Sequence, residues 1–109
     1  MAEKALLANQ GNVKMVIWRP SIISSSVAEP FPGWTDSLAA AGAVVIMGGT
    51  GIKHVIHSNG RTKFDVIPVD IVSNGLLVAS AHCAVQELQP PKIYHCTTSN
   101  TNFLRMRDF

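Results

Sequence analysis

The chain has 109 residues, room for one small domain that buries about two-thirds of its unfolded surface. Apolar residues make up 47% and charged residues 15%, the reverse of the balance that keeps a chain disordered. So low a charged share, against the usual ~25%, implies apolar stretches that face something other than water. Nine basic and seven acidic residues leave a net charge of +2, too small a surplus for the electrostatic footprint of a nucleic-acid binder. Two cysteines, Cys83 and Cys96, are too few for a disulfide scaffold and lack metal-ligand spacing; they read as reduced thiols.

In chain order, residues 2–9 read as a helix with Ala5, Leu6 and Leu7 apolar and Gly11 as its stop. Residues 13–18 (VKMVIW) form an apolar run consistent with a buried strand, expected to end at Arg19-Pro20 because proline cannot continue a central ladder. Residues 21–33 read as a long loop, serine-rich and then stiffened by Pro30 and Pro32. Thr35 or Asp36 is placed to cap a short helix through residues 38–41. Residues 43–47 (AVVIM) fit either a strand or a buried helix turn, broken by residues 48–51; residues 52–57 are irregular or a short strand. Residues 64–67 (FDVI) read as a strand ending at Pro68. Residues 70–87 carry the longest helical pattern, apolar on most sides and so packed between other elements, with Asp70 as its expected N-cap and Gln89-Pro90-Pro91 as its stop. Residues 93–96 (IYHC) read as a last strand before a polar tail. The longest uncharged stretches, residues 37–52 and 71–86, fall short of the ~18–20 apolar residues of a membrane span. MAEKALLANQ lacks the apolar run of a signal peptide.

Strands alternating with helices or long loops indicate an α/β class with a mainly parallel sheet. Only three or four short strands are supplied, and the chain reads as part of a larger domain. Several local patterns invite a chemical reading. Gly49-Thr50-Gly51 after an apolar run resembles the opening of a dinucleotide fingerprint, but His54 takes the third glycine position and no capped amphipathic helix follows, so an ordinary loop is expected. His54 and His57 stand three apart without a nearby carboxylate, which does not make a metal site. His82 and Cys83 sit in the apolar helix as structural residues, since sequence neighbours on a helix are not a nucleophile pair. Ser21 and residues 24–26 lack the G-x-S-x-G elbow of a hydrolase. Arg19-Pro20-Ser21 is more informative: it leaves a buried strand, and in open α/β sheets ligands bind beyond the carboxyl ends of strands.

Taken together, WRPSIISSSVAEPFPGWTDS, GGTGIKH, DVIPVDIVSNGLLVAS and IYHCTTSNTN resemble, in order and spacing, the fatty acyl-CoA reductases, which are extended short-chain dehydrogenase/reductases. The resemblance runs from about Ala2 to Asn102. RPSI followed by EPFPGW and then DVIPVD with Asn74 is its most specific combination, and Phe103, where the family usually has proline, is a small departure. It implies the C-terminal part of a Rossmann-like reductase domain, residues 1–109 forming one partial NAD(P)-binding unit. The implied reaction uses NADPH to take a long-chain acyl-CoA to the fatty alcohol through bound aldehyde.

The resemblance also implies roles for particular residues. Arg19, Pro20, Ser21 and Ile23 correspond to the segment beside the nicotinamide. Glu29, Phe31, Pro32 and Trp34 belong to the loop on the acyl side, with Phe31 and Trp34 against the alkyl chain. Asp65 and Asp70 hold the fold together. The family's Gly-rich fingerprint and Tyr-x-x-x-Lys pair do not occur in these residues: Lys4 has no tyrosine four residues ahead, and aligning Glu3 puts the family's lysine just before Met1. No catalytic residue and no metal ligand is therefore expected in the chain, which should be inactive alone. Partners implied are long-chain acyl-CoA and a second copy or a full-length reductase; nucleic acid and a membrane span are not expected. The family suggests a peroxisomal or endoplasmic-reticulum surface. The alternatives are a non-catalytic half-domain binding acyl chains or a protein partner, and another thioester reductase or extended dehydrogenase, against which EPFPGW speaks.

Overall fold

The computed structural model describes residues 1–39, 41–55, 57–86 and 90–107. Ala2–Ala8 form helix α1, built from strong helix formers and closed by Asn9 before Gly11 turns at a φ of 56°. The next strand segment is continuous but changes partner. Strand β1 (Val16–Pro20) and β2 (Ile22–Ser24) are separated by Ser21 alone. β1 pairs in parallel with β5 (Lys92–Cys96), aligning Trp18 with Tyr94 and Pro20 with Cys96. β2 pairs in parallel with β4 (Val66–Pro68). Strand β3 (Lys63–Phe64) and β6 (Leu104–Arg105) form a separate antiparallel ribbon. The mixed α/β class and the predominance of parallel pairing agree with the sequence reading.

Several boundaries differ, each for a local reason. β1 includes Pro20, and Ser21 N donates to Cys96 O at 3.0 Å, so the donor that proline lacks is supplied one residue later. β2 lies inside the stretch expected to be loop; its three residues are too short to show a period. Residues 35–39 form no helix, and residue 40 of the expected short helix lies outside the described residues. Thr35 Oγ1 accepts from Ser37 N at 3.2 Å and donates to Ser37 O at 3.1 Å, and Ser37 Oγ accepts from Ala39 N at 3.2 Å. Such local side-chain bonds compete with helical ones. Helix α2 instead runs over Ala41–Gly49, resolving residues 43–47 as helix with Gly48 and Gly49 in its last turn. It ends where Thr50 N bonds back to Ile46 O at 2.9 Å and Gly51 adopts a φ of 73°. The expected strand 64–67 is split at Asp65 into β3 and β4. Of the segments expected at 52–57 and 70–87 and the stop at 89–91, residues 56, 87 and 89 lie outside the described residues.

Helix α3 covers Val69–Val85. Its N-cap is Pro68, with no side-chain cap bond, so Asp70 stands inside the first turn rather than at the cap. Val72, Ala79 and Cys83 are buried, and with Ala41 and Ile67 they make up the described core. Gly75 lets β1 approach: a Cβ there would lie 2.6 Å from Trp18 Cζ2. The expectation that α3 is covered on most sides does not hold within these residues, since Leu77 and Val78 are each 69% exposed. The radius of gyration, 17.1 Å, exceeds the ~13 Å of a compact domain this long, in keeping with apolar surface the chain does not cover itself.

Candidate functional site

Two aspartates organise the region where β1 passes into β2. Asp65 sits between β3 and β4, and its Oδ1 accepts from Thr98 N (2.9 Å) and Thr98 Oγ1 (3.0 Å), while Oδ2 accepts from Ser99 Oγ. Asp65 O accepts from Ile22 N at 3.1 Å. One residue thus joins the partner switch at Ser21, the start of β4 and the turn after β5. The Ser99 hydroxyl, followed by the Thr98 amide, holds this carboxyl at a pKa of about 2. Ser21 Oγ is close enough to assist, yet it makes no hydrogen bond of good geometry and is buried without a partner.

Asp70 does the corresponding work for the proline-rich loop. It is 8% exposed, and its carboxylate accepts from Val27 N (3.1 Å), Ala28 N (2.8 Å), Glu29 N (3.2 Å) and Ile71 N (3.0 Å). These amides, Ala28 first, hold its pKa at about 2, as expected of a carboxylate accepting several backbone bonds. The loop is closed on itself by Ser26 N to Trp34 O and Gly33 N to Ser26 O, both 2.9 Å, and by Ser26 Oγ to Phe31 O at 2.6 Å. Gly33 has a φ of 85°, and the Glu29-Pro30 bond is cis. Glu29, Phe31 and Pro32 stand exposed at the tip, and Trp34 is half-buried at the base.

A cavity of about 470 Å³ opens beside the loop, lined by Ser21, Ile23, Ser24, Ser25, Thr35 and Ser37 among others. A neighbouring one of about 340 Å³ shares Ser24, Ser25 and Thr35 and reaches Val45 and Leu104. The first therefore brings together Ser21 and Ile23 with the residues that follow the aromatic loop, in a hydroxyl-rich crevice. Arg19 is engaged elsewhere: it pairs with Glu3 of α1 through Nε to Oε1 at 2.7 Å and Nη2 to Oε2. That hydrogen-bonded pair lowers the Glu3 pKa and raises that of Arg19. Pro20 closes β1 and is exposed.

Sequence reasoning missed a larger groove of about 570 Å³ between α3 and the β1–β5 pair, lined by Trp18, Ile71, Gly75, Val78, His82 and Tyr94. His82 Nδ1 and Tyr94 OH share a 3.2 Å hydrogen bond, and Trp18 Nε1 is buried without a partner. The signal was the i, i+4, i+7, i+11 spacing of Ile71, Gly75, Val78 and His82, which marks one helix face but not whether it is covered.

The remaining motifs settle as ordinary structure. Gly49-Thr50-Gly51 closes a helix, where the dipole presents carbonyls and repels phosphate. His54 and His57 are exposed, and among the described residues no three His, Cys, Asp or Glu side chains converge on a metal position. Burial pushes the Cys96 thiol up, the opposite of an activated nucleophile. No described helix is long and apolar enough to cross a membrane.

Residues 1–76 match the family described as male sterility protein, an NAD-binding domain. Fatty acyl-CoA reductase 1 of Homo sapiens is 34% identical over 102 residues, which is 94% of this chain and 20% of that protein. Fatty acyl-CoA reductase 2 of Bos taurus is 34% identical and that of Mus musculus 35%, with the same coverage. The chain thus spans about a fifth of the length of the curated relatives it matches. With RPSI, the tethered EPFPGW loop and DVIPVD in one Rossmann-like arrangement, the chain belongs to the fatty acyl-CoA reductase family, in its male-sterility-type NAD-binding domain.

Proposed function

We propose that these residues form the substrate-side, C-terminal part of an NADPH-dependent reductase domain that converts long-chain acyl-CoA to fatty alcohol. The observation that carries this reading is the Asp70 carboxylate, which fixes three consecutive amides of the aromatic loop beside a hydroxyl-lined cavity at the β1–β2 junction. A loop holding an exposed Phe31 and a half-buried Trp34 offers an alkyl chain two apolar surfaces at fixed positions, and apolar contact scales with the area removed from water.

The nicotinamide end of a dinucleotide fits this crevice in kind. The Ser24, Ser25 and Thr35 side chains that line it supply polar contacts of the kind a carboxamide needs, and Ile23 supplies apolar wall. Arg19 acts from behind, bracing β1 through Glu3, while Pro20 fixes the strand exit. The diphosphate finds no cradle here, since the only G-x-G string closes a helix. When bound, the cofactor would supply hydride. The chain's own residues position the thioester and exclude water from it, and they provide no acid pair: the one tyrosine, Tyr94, has threonine four residues on. The chain alone is therefore expected to oxidise no NADPH with palmitoyl-CoA, and turnover by the pure chain would sink that assignment.

The direct test of the acyl side uses Trp34 emission in a Trp18→Phe background. Titration with hexadecanal should blue-shift or quench it, and Phe31→Ala should weaken the response. Emission that ignores the aldehyde contradicts the reading. A second reading, a non-catalytic half-domain that binds a full-length reductase or another copy, draws on the exposed Leu77 and Val78 of α3. A stable homodimer or 1:1 complex in sedimentation would favour it.

A further inference from the structure

The sequence carries nine basic residues, and Arg61, Lys63, Arg105 and Arg107 fall on one short ribbon. β3 and β6 place Lys63 opposite Arg105 and Phe64 opposite Leu104. Bonds from Met106 N to Thr62 O (3.0 Å) and from Arg107 N to Gly60 O (3.4 Å) continue the ladder. Side chains alternate along strands, so Lys63 and Arg105 share one face and Phe64 and Leu104 the other, with Arg61 and Arg107 in the turns that flank them. Arg61, Lys63 and Arg107 are exposed, and Arg105 is half-buried, as are Phe64, Leu104 and Met106. Leu104 lines the cavity that also contains Ser24, Gly33 and Thr35, so the ribbon reaches the cavity next to the candidate site through this residue.

Like charges directly opposite on an antiparallel pair repel. Among the described residues no ion pair offsets this for Arg61, Lys63 or Arg105. What relieves it is Phe103, which is 40% exposed and has Lys63 Nζ 4.6 Å and Arg105 Cζ 5.3 Å from its ring centroid, within cation–π reach. Lys63 Nζ also donates to Ser99 O at 3.1 Å, which tethers the ribbon to the Asp65 cluster. Clustered cations around a partly exposed aromatic ring suit a ligand that joins several phosphates to a flat base: guanidinium and ammonium groups bind phosphate, and bases stack on aromatic rings. A phosphorylated adenosine has that chemistry. CoA and NADPH both carry one, and the ribbon borders the acyl side of the site, which favours CoA.

We propose that the β3–β6 ribbon binds the phosphorylated adenosine of CoA, its phosphates held by Arg61, Lys63 and Arg105 and its adenine against Phe103. This rests on the acyl-CoA reading above. The hexadecanal titration contains no nucleotide and the present test no acyl chain, so each can fail without the other.

The test is calorimetric titration of the full chain with CoA, 3′,5′-ADP, 2′,5′-ADP and adenosine. CoA and 3′,5′-ADP should bind alike, 2′,5′-ADP more weakly, and adenosine about tenfold or more below 3′,5′-ADP. Lys63→Ala and Arg105→Ala should each weaken CoA binding about tenfold, and affinity should fall as salt rises. Phe103→Ala should weaken adenosine and CoA together. Arg61→Ala, at an exposed turn, keeps the test open should a strand variant fail to fold, as judged by circular dichroism. No CoA binding, or affinity unchanged in a folded variant, overturns the proposal. So does tighter binding of 2′,5′-ADP, which would give the ribbon to the dinucleotide, or capture by phosphatidylserine vesicles with no response to CoA.

Discussion

The two sides of this domain are held in opposite ways. Around the β1–β2 junction, Asp65 and Asp70 gather amides and hydroxyls from segments far apart in sequence, and the aromatic loop is tied at several points. On the α3 side, a groove of about 570 Å³ is walled mainly by apolar side chains, and the side-chain hydrogen bond described there joins His82 to Tyr94 within the wall. Charge-assisted hydrogen bonds fix geometry, which a site needs. Apolar surface only asks to be covered, by whatever fits. In α/β folds ligands gather beyond strand ends rather than on the sheet face under a helix. On the proposed reading the tied side is the site, and the apolar groove, though larger, is a packing surface.

The largest effect should come from Asp70→Ala. It removes the common acceptor of Val27, Ala28 and Glu29, leaving those amides unpaired. Their hydrogen exchange should rise to loop rates and the Trp34 response to hexadecanal should vanish, while exchange in α3 beyond its first turn stays slow. Equal loosening of both sides would break the comparison. Gly75→Ala probes the other side. Its methyl would overlap Trp18, an overpacking that costs about 1–3 kcal/mol, measurable by urea denaturation, with slow exchange at the Val27, Ala28 and Glu29 amides retained.

Acid separates the two sides without mutation. Asp65 and Asp70 both titrate near a pKa of about 2 in the folded chain, below their ordinary 3.8. A lowered folded pKa gives stability that is complete above the unfolded value and lost as pH falls through the folded one. Melting temperature should be independent of these groups above about pH 4 and fall between about pH 4 and 2. Asp70→Asn should flatten part of that fall; an unchanged acid limb would count against the tether. The smallest effect belongs to Arg19→Ala. The Arg19–Glu3 pair is about two-fifths exposed on each side, so its loss should be small and fade at high salt.

Much of this was legible in the chain. The α/β class, the α1 and α3 helices, the β1 and β5 strands and the family came from apolar periods and from the RPSI, EPFPGW and DVIPVD strings. The role of Asp70 did not: an aspartate one residue into a helix reads as a cap, and only the fold brings a loop more than forty residues away onto its carboxylate. The hydroxyls of Thr35 and Ser37 cancelled a helix start that propensity favoured. The basic ribbon was hidden because net charge averages over the chain, while the register of β3 against β6 sets Lys63 opposite Arg105 between turns that carry Arg61 and Arg107. The α3 groove was half visible, since a helical period marks an apolar face but not its neighbour.

The most direct measurement is photo-crosslinking of the full chain with a long-chain acyl-CoA carrying a diazirine at the far end of the alkyl chain, followed by peptide mapping. Label on residues 29–34, competed by unmodified palmitoyl-CoA and lost in Asp70→Ala, is the predicted result. Label concentrated instead on Ile71, Val78 and Tyr94 of the α3 groove would contradict it and move the acyl site to the untied side.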